Sequence, residues 1–147
     1  NYGKETVIAT SGCGPVCVAM VYNYFYKDSP LNPKEVSNFS YDNNYYIEKA
    51  GTTWNLMSEG VRKLGLKSRN IKGTFDEIKN SLSQDKLLIA CMKKGHFTTN
   101  GHFLVIKGFD ENQNLYINDP NSIQNSKIAW SSEIVLPEIK AIWEIEK

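Results

Sequence analysis

The stretch from residue 16 to 26 constrains this chain more than any other. Val16, Val18, Ala19, Met20, Val21, Tyr22, Tyr24 and Phe25 make it apolar nearly all round, and only Asn23 is clearly polar. Pro15 suits the first turn of a helix, where a missing N–H costs nothing, and Asp28-Ser29-Pro30 stops it. A helix without a polar face has to be covered on every side, so it lies in the middle of its domain. With 147 residues the chain can supply that cover once and not twice, which makes residues 1–147 a single domain.

The first half of the cover reads as helix and loop. A β-like stretch at 6–9 precedes the buried helix, and a short helix at 33–38 follows it. An aromatic, polar loop then runs through Tyr41, Tyr45 and Tyr46, and Thr53 is placed to cap a helix over 54–64 that Gly65 ends. After a strand at 67–71, Thr74 opens a helix with Asp76 and Glu77 at its positive end. The second half turns to strands at 87–92, 101–109, 114–118 and 139–145. Helices first and strands later predict an α+β domain with an antiparallel sheet.

Charge and length exclude several classes of function. Seventeen basic residues against sixteen acidic ones, with no basic stripe, lack the footprint of a nucleic-acid binder. No apolar run reaches the ~18 residues of a membrane span, and the first residues are no secretory signal. A chain that starts without Met reads as a mature or excised piece, so other domains of the same polypeptide are its expected partners. Cys13, Cys17 and Cys91 form neither a disulfide framework nor a zinc pattern, and neither metal nor cofactor is expected.

Free thiols are left to explain. Cys13 stands immediately before the buried helix, where unpaired N–H groups and the helix dipole favour a thiolate nucleophile. Gly12 and Gly14 flank it and allow a tight turn and the close approach of a substrate backbone. A structural Cys in a Gly-Pro turn fits the same residues, and the turn alone does not decide. Cys17, one helical turn on, and Cys91, in an apolar strand, read as packing residues.

A thiolate needs a base, and the chain offers His96 and His102. His102 opens a strand that can hold its ring rigidly, whereas His96 lies in a loop and reads as a solvated side chain. The hairpin after His102 supplies the acceptor for the imidazole. If residues 110–113 are a four-residue loop, Phe109 pairs with Asn114 and counting back sets Leu104 opposite Asp119. His102 and Asp119 then share a face as diagonal neighbours. A loop one residue longer would put them on opposite faces, and Asn118 and Asn121 are the alternative acceptors.

Together, Ser11-Gly12-Cys13-Gly14-Pro15, Gly51-Thr52-Thr53-Trp54, Gly101-His102-Phe103 and Asn118-Asp119-Pro120 resemble the peptidase-like domains related to the double-glycine leader peptidases of bacteriocin exporters. The resemblance covers most of the chain. It implies a papain-like cysteine peptidase fold, with Cys13 as nucleophile, His102 as base and Asp119 as the orienting residue. The subgroup it is most similar to comes from Gram-positive bacteria and their phages and is often joined to cell-wall-degrading modules. By that association the expected substrate is peptidoglycan stem or cross-bridge peptide and the expected place the cell wall or exterior. The alternatives are a double-glycine leader peptidase of an exporter and a non-catalytic binding or adaptor module.

One departure bears on the chemistry. Relatives commonly carry a Gln upstream of the Cys that completes the oxyanion hole, and none precedes Cys13. The Cys13 N–H supplies one donor, and Thr10 and Ser11 are the candidates for the other. The expected cleft walls are the aromatic loop 41–46, Trp54 and the segment 95–100, with Gly12, Gly14, Gly51 and Trp54 as substrate-binding residues.

Overall fold

The structure, a computed structural model, describes residues 13–47 and 51–147. Helices α1 (Cys13–Phe25) and α2 (Pro33–Asp42) come first. The short strands β1 (Tyr46–Ile47) and β2 (Gly51–Thr52) pair with each other, and a 3-10 turn at Trp54–Leu56 leads to α3 (Glu59–Lys63). Strand β3 (Lys67–Asn70) and helix α4 (Phe75–Ser83) follow. Then come β4 (Leu87–Met92), β5 (His102–Phe109), β6 (Asn114–Asn118), α5 (Ile123–Ser126), β7 (Ala129–Ser131), α6 (Ser132–Val135) and β8 (Ile139–Glu146).

Six of these strands form one antiparallel sheet in the order β3-β8-β4-β5-β6-β7. This is the α+β architecture that the order of elements predicts. All six residues of β4 are buried, because each face of the sheet carries its own core. Leu87, Ile89 and Cys91 join Phe103, Val105 and Trp143 beneath α1, while Leu88, Ala90 and Met92 join Leu104, Ile106, Leu115 and Ile117 on the opposite face. At roughly 1.5–3 kcal/mol for each large apolar side chain removed from water, this two-sided burial fixes β4 and its neighbour β5 firmly.

Helix α1 is covered as expected as far as Val21, and Cys17, Val18 and Val21 have no exposure. Its last turn emerges: Tyr24 is exposed and hydrogen-bonds Asp85, and Asn23 clasps the returning chain by exchanging two 2.8 Å bonds with Leu31. Helix α2 runs past the expected end at residue 38, held by a capping box between Asn32 and Glu35. Thr74 caps α4, as its sequence position suggests.

The helix expected over 54–64 divides in two. Thr53 makes no side-chain cap bond, its hydroxyl is buried without a partner, and Ser58, at the start of the second piece, makes no side-chain cap bond either. Gly65 ends the second piece at a φ of +96°, a conformation glycine adopts without strain. The sequence does not predict the elements α5, β7 and α6. Each is three or four residues long, too short to show a periodicity.

Candidate active site

The site lies where the start of α1 meets the first residue of β5. Cys13 is the first residue of α1 and is nearly buried, at 9% exposure. His102 opens β5, is buried, and interacts electrostatically with the Cys13 thiol. Its Nε2 also meets Asp119 Oδ1 at 2.6 Å, which leaves Nδ1 for the sulfur. Asp119 follows β6 directly and is buried as well.

The hairpin reaches this arrangement by a route other than the expected one. Phe109 pairs with Leu115, not Asn114, and Gly108 pairs with Tyr116, so the turn is one residue longer than the four-residue loop. Asp110 is the cause: its Oδ1 accepts from the N–H groups of Asn112 and Asn114, and its Oδ2 from the Asn114 amide. That register, continued, would send His102 and Asp119 to opposite faces. A β-bulge between Ile106 and Gly108 removes the offset, restoring Ile106 opposite Ile117 and Val105 opposite Asn118. One step further, Leu104 comes into line with Asp119.

Burial alone would lower the pKa of His102. The hydrogen bond to Asp119, the Cys13 thiol and the charges of both partners outweigh it and raise the value to about 9. Burial would likewise raise Asp119, but bonds from His102, the Asn125 amide and the Asn121 N–H hold its carboxyl below the usual range. The pair is therefore imidazolium and carboxylate at neutral pH.

These shifts set a pH dependence of stability. Because the folded value of His102 lies above the ordinary 6.5, its contribution is complete below that value and is lost as the pH rises through about 9. The contribution of Asp119 has the opposite sign and is lost only in acid, below the ordinary 3.8. In urea unfolding, the stability gap between wild type and His102→Gln should be wide near ~pH 6 and narrow near ~pH 10.

Three residues named from the sequence, Thr10, Ser11 and Gly12, lie outside the described residues. Gly14 is buried, and a Cβ there would stand 2.9 Å from Thr52 Cγ2, so its missing side chain makes room for β2. Such a clash costs about 1–3 kcal/mol, while Ala in a first helical turn gains less than its usual ~1 kcal/mol over Gly. Gly14→Ala should accordingly lower the thermal midpoint of unfolding. Gly51 sits in β2 opposite Ile47. Trp54 is exposed, rests edge-on against Trp143 at 5.7 Å and lies under the Lys140 ammonium.

Other expected walls turn inward. Tyr45 is buried in the core against Phe39, although Tyr41 is exposed and stacks on Tyr46. Phe97 packs on Trp130 at 4.7 Å. His96 is exposed, but instead of being only solvated it pairs with Glu138 through both its ring and its backbone N–H. Asn118 is held in the β5–β6 ladder, and Asn121 reaches Asp119 through its backbone. Burial pushes the thiols of Cys17 and Cys91 above their ordinary range, as suits packing residues.

Sequence reasoning missed Asn125, whose Nδ2 donates to Asp119 Oδ2 at 3.0 Å. The signal available was Ser122, which caps α5 by accepting from the Asn125 N–H.

A central helix carrying a thiol at its start, packed on an antiparallel sheet that presents a buried histidine and aspartate, has the architecture of the papain-like cysteine peptidases. Within that class the chain belongs to the Peptidase_C39 like family, whose model matches residues 2–146. Among solved structures it is similar to the peptidase domain of Streptococcus ComA, a bi-functional ABC transporter involved in a quorum-sensing pathway. Identity there is 24% and the TM-score 0.66, covering 94% of this chain and 93% of that one. The ComA peptidase domain of Streptococcus mutans matches at 22% identity and a TM-score of 0.55, covering 94% and 93%. A protein of Bacillus anthracis described as a C39-like peptidase matches at 14% and 0.56, covering 92% and 88%. At these identities the likeness is one of fold. No curated protein matches the chain. Among the described residues no helix is long and apolar enough to cross a membrane.

Proposed function

We propose that the chain hydrolyses peptide bonds through a thioester on Cys13. The observation that carries this reading is the buried His102–Asp119 pair, whose imidazole feels the Cys13 thiol at the start of α1. An imidazolium beside the sulfur is the counter-ion a thiolate nucleophile needs. Cys13 Sγ attacks the carbonyl carbon, and the negative charge that forms on oxygen is met by the Cys13 N–H. His102 gives its proton to the departing amine, and the thioester is left. His102, now neutral, takes a proton from water as that water attacks, and the thiolate leaves again. Asp119 holds the ring so that one nitrogen always faces the sulfur.

For the substrate, we favour a peptide cut after a double glycine, the class implied by the resemblance to leader peptidases. The likeness to the ComA peptidase domain supports it, whereas peptidoglycan has no comparable support. Incubating the domain in parallel with a synthetic Gly-Gly leader peptide and with purified peptidoglycan separates the two. A new carboxyl terminus after the second glycine, absent with Cys13→Ala, supports leader processing. An intact leader peptide beside newly cut stem or cross-bridge peptides would replace it with wall hydrolysis.

A further inference from the structure

We infer that Asn125 is a positioning residue of this site: by donating to Asp119 Oδ2 it fixes the carboxylate that fixes His102. This rests on the triad reading above and adds a fourth member to it.

Asp119 Oδ1 is already engaged by His102 Nε2 at 2.6 Å and by the Asn121 N–H at 2.9 Å. Its other oxygen, Oδ2, takes the Asn125 amide at 3.0 Å. A carboxylate held at one oxygen can swing about its Cβ–Cγ bond, and a neutral donor on the second oxygen stops that motion without offering a competing charge. Ser126 fixes the backbone of the same residue, since its hydroxyl receives the Asp119 N–H at 2.8 Å.

Asn125 is itself held from outside the site. Its N–H donates to Ser122 Oγ at 3.0 Å, and its carbonyl accepts the Trp130 indole N–H at 3.0 Å. Trp130 in turn packs on Phe97, in the loop that leads to His102. The short helix α5 and the edge strand β7 thus have a purpose beyond closing the sheet, which is to present one amide to one carboxylate oxygen. Among the described residues, the titratable groups facing this carboxylate and its histidine are His102 itself, from β5, and Cys13 and Cys17, from α1.

The test uses Asn125→Ala and the near-isosteric Asn125→Asp, with Cys13→Ala alongside, in the whole chain. Three readouts are taken: the pH profile of kcat/KM, thermal melting, and titration of His102 by 15N NMR of the imidazole. In Asn125→Ala, losing the amide should raise the pKa of Asp119, lower that of His102 as the freed carboxylate turns from the ring, and cut kcat by about 10- to 100-fold with KM little changed. In Asn125→Asp the loss relative to wild type should shrink toward acid pH, where the new carboxyl is protonated and donates as the amide did.

A His102 titration identical to wild type in both variants, or an Asn125→Asp activity ratio flat with pH, would overturn the proposal. Should Asn125→Ala fail to fold, Asn125→Asp carries the same decision. If Cys13→Ala proves as active as wild type, the triad reading itself falls. If Cys13→Ala is inactive and both Asn125 variants match wild type, only the positioning role falls.

Discussion

Cys13→Ala and Cys13→Ser should both lose hydrolysis to background, a drop on the order of 10⁶-fold, with thermal unfolding close to that of wild type. On the proposed mechanism the size follows from chemistry: without the sulfur no thioester forms, and the remaining donors act on a bond that nothing attacks. The unchanged stability follows from position, because Cys13 is the first residue of α1 and each change adds no bulk where Gly14 and Thr52 are packed tightly. Cys17→Ser is the control. Cys17 has no exposure and lies one turn further into the core, so a hydroxyl there costs about 1–3 kcal/mol of stability and little rate per folded molecule. Equal inactivation by Cys13→Ser and Cys17→Ser at unchanged melting temperature would count against this assignment.

His102→Ala should cost about 10³-fold or more in kcat/KM, and His96→Ala less than about tenfold. On the proposed mechanism, losing His102 removes the proton carrier, and in the structure it leaves a buried carboxylate short of a partner. His96 is an exposed ring paired with Glu138, and such a surface pair contributes at most about 1 kcal/mol. Asp119→Ala should fall between them, since thiol and imidazole both remain and only the orientation of the ring is lost. Steady-state kinetics on one peptide substrate with all three variants ranks them directly. An essential His96 beside a dispensable His102 would show that the base had been misassigned.

How much of this was legible beforehand differs by element. The buried helix and the thiol at its start follow from composition over a dozen residues, a pattern strong enough to survive any loop error. The strands 87–92 and 114–118 agree with the structure residue for residue, because an apolar run and a polar-bounded alternation leave little choice of register. The shared face of His102 and Asp119 was reached through a four-residue loop that does not exist. The extra turn residue, organised by Asp110, is offset by the bulge between Ile106 and Gly108, and two unseen features of opposite sign left the outcome intact. Nothing in the spacing of residues announces that bulge.

Asn125 stayed hidden for a related reason. Its contact with Asp119 depends on how the chain turns after Pro120 and on a capped helix of only four residues. Tyr45 shows the converse error: a tyrosine in a polar, aromatic loop looks like a cleft wall, yet it is buried in the core against Phe39. Exposure of a single aromatic is decided by tertiary packing that local sequence does not carry.

The central claim, that Cys13 is a nucleophile activated by His102, is tested most directly by the rate of alkylation at each thiol. Limiting iodoacetamide is added at neutral pH, and the modified sites are followed in time by peptide mass mapping in wild type and in His102→Ala. Cys91 is about as exposed as Cys13, but desolvation pushes the thiols of Cys17 and Cys91 up and no imidazole hydrogen-bonded to an aspartate stands beside them, so both should react slowly. The account predicts that Cys13 is carboxamidomethylated first, at least about tenfold faster than either, and that His102→Ala abolishes this lead. Preferential labelling of Cys91 or Cys17, or a Cys13 rate indifferent to His102→Ala, would contradict it.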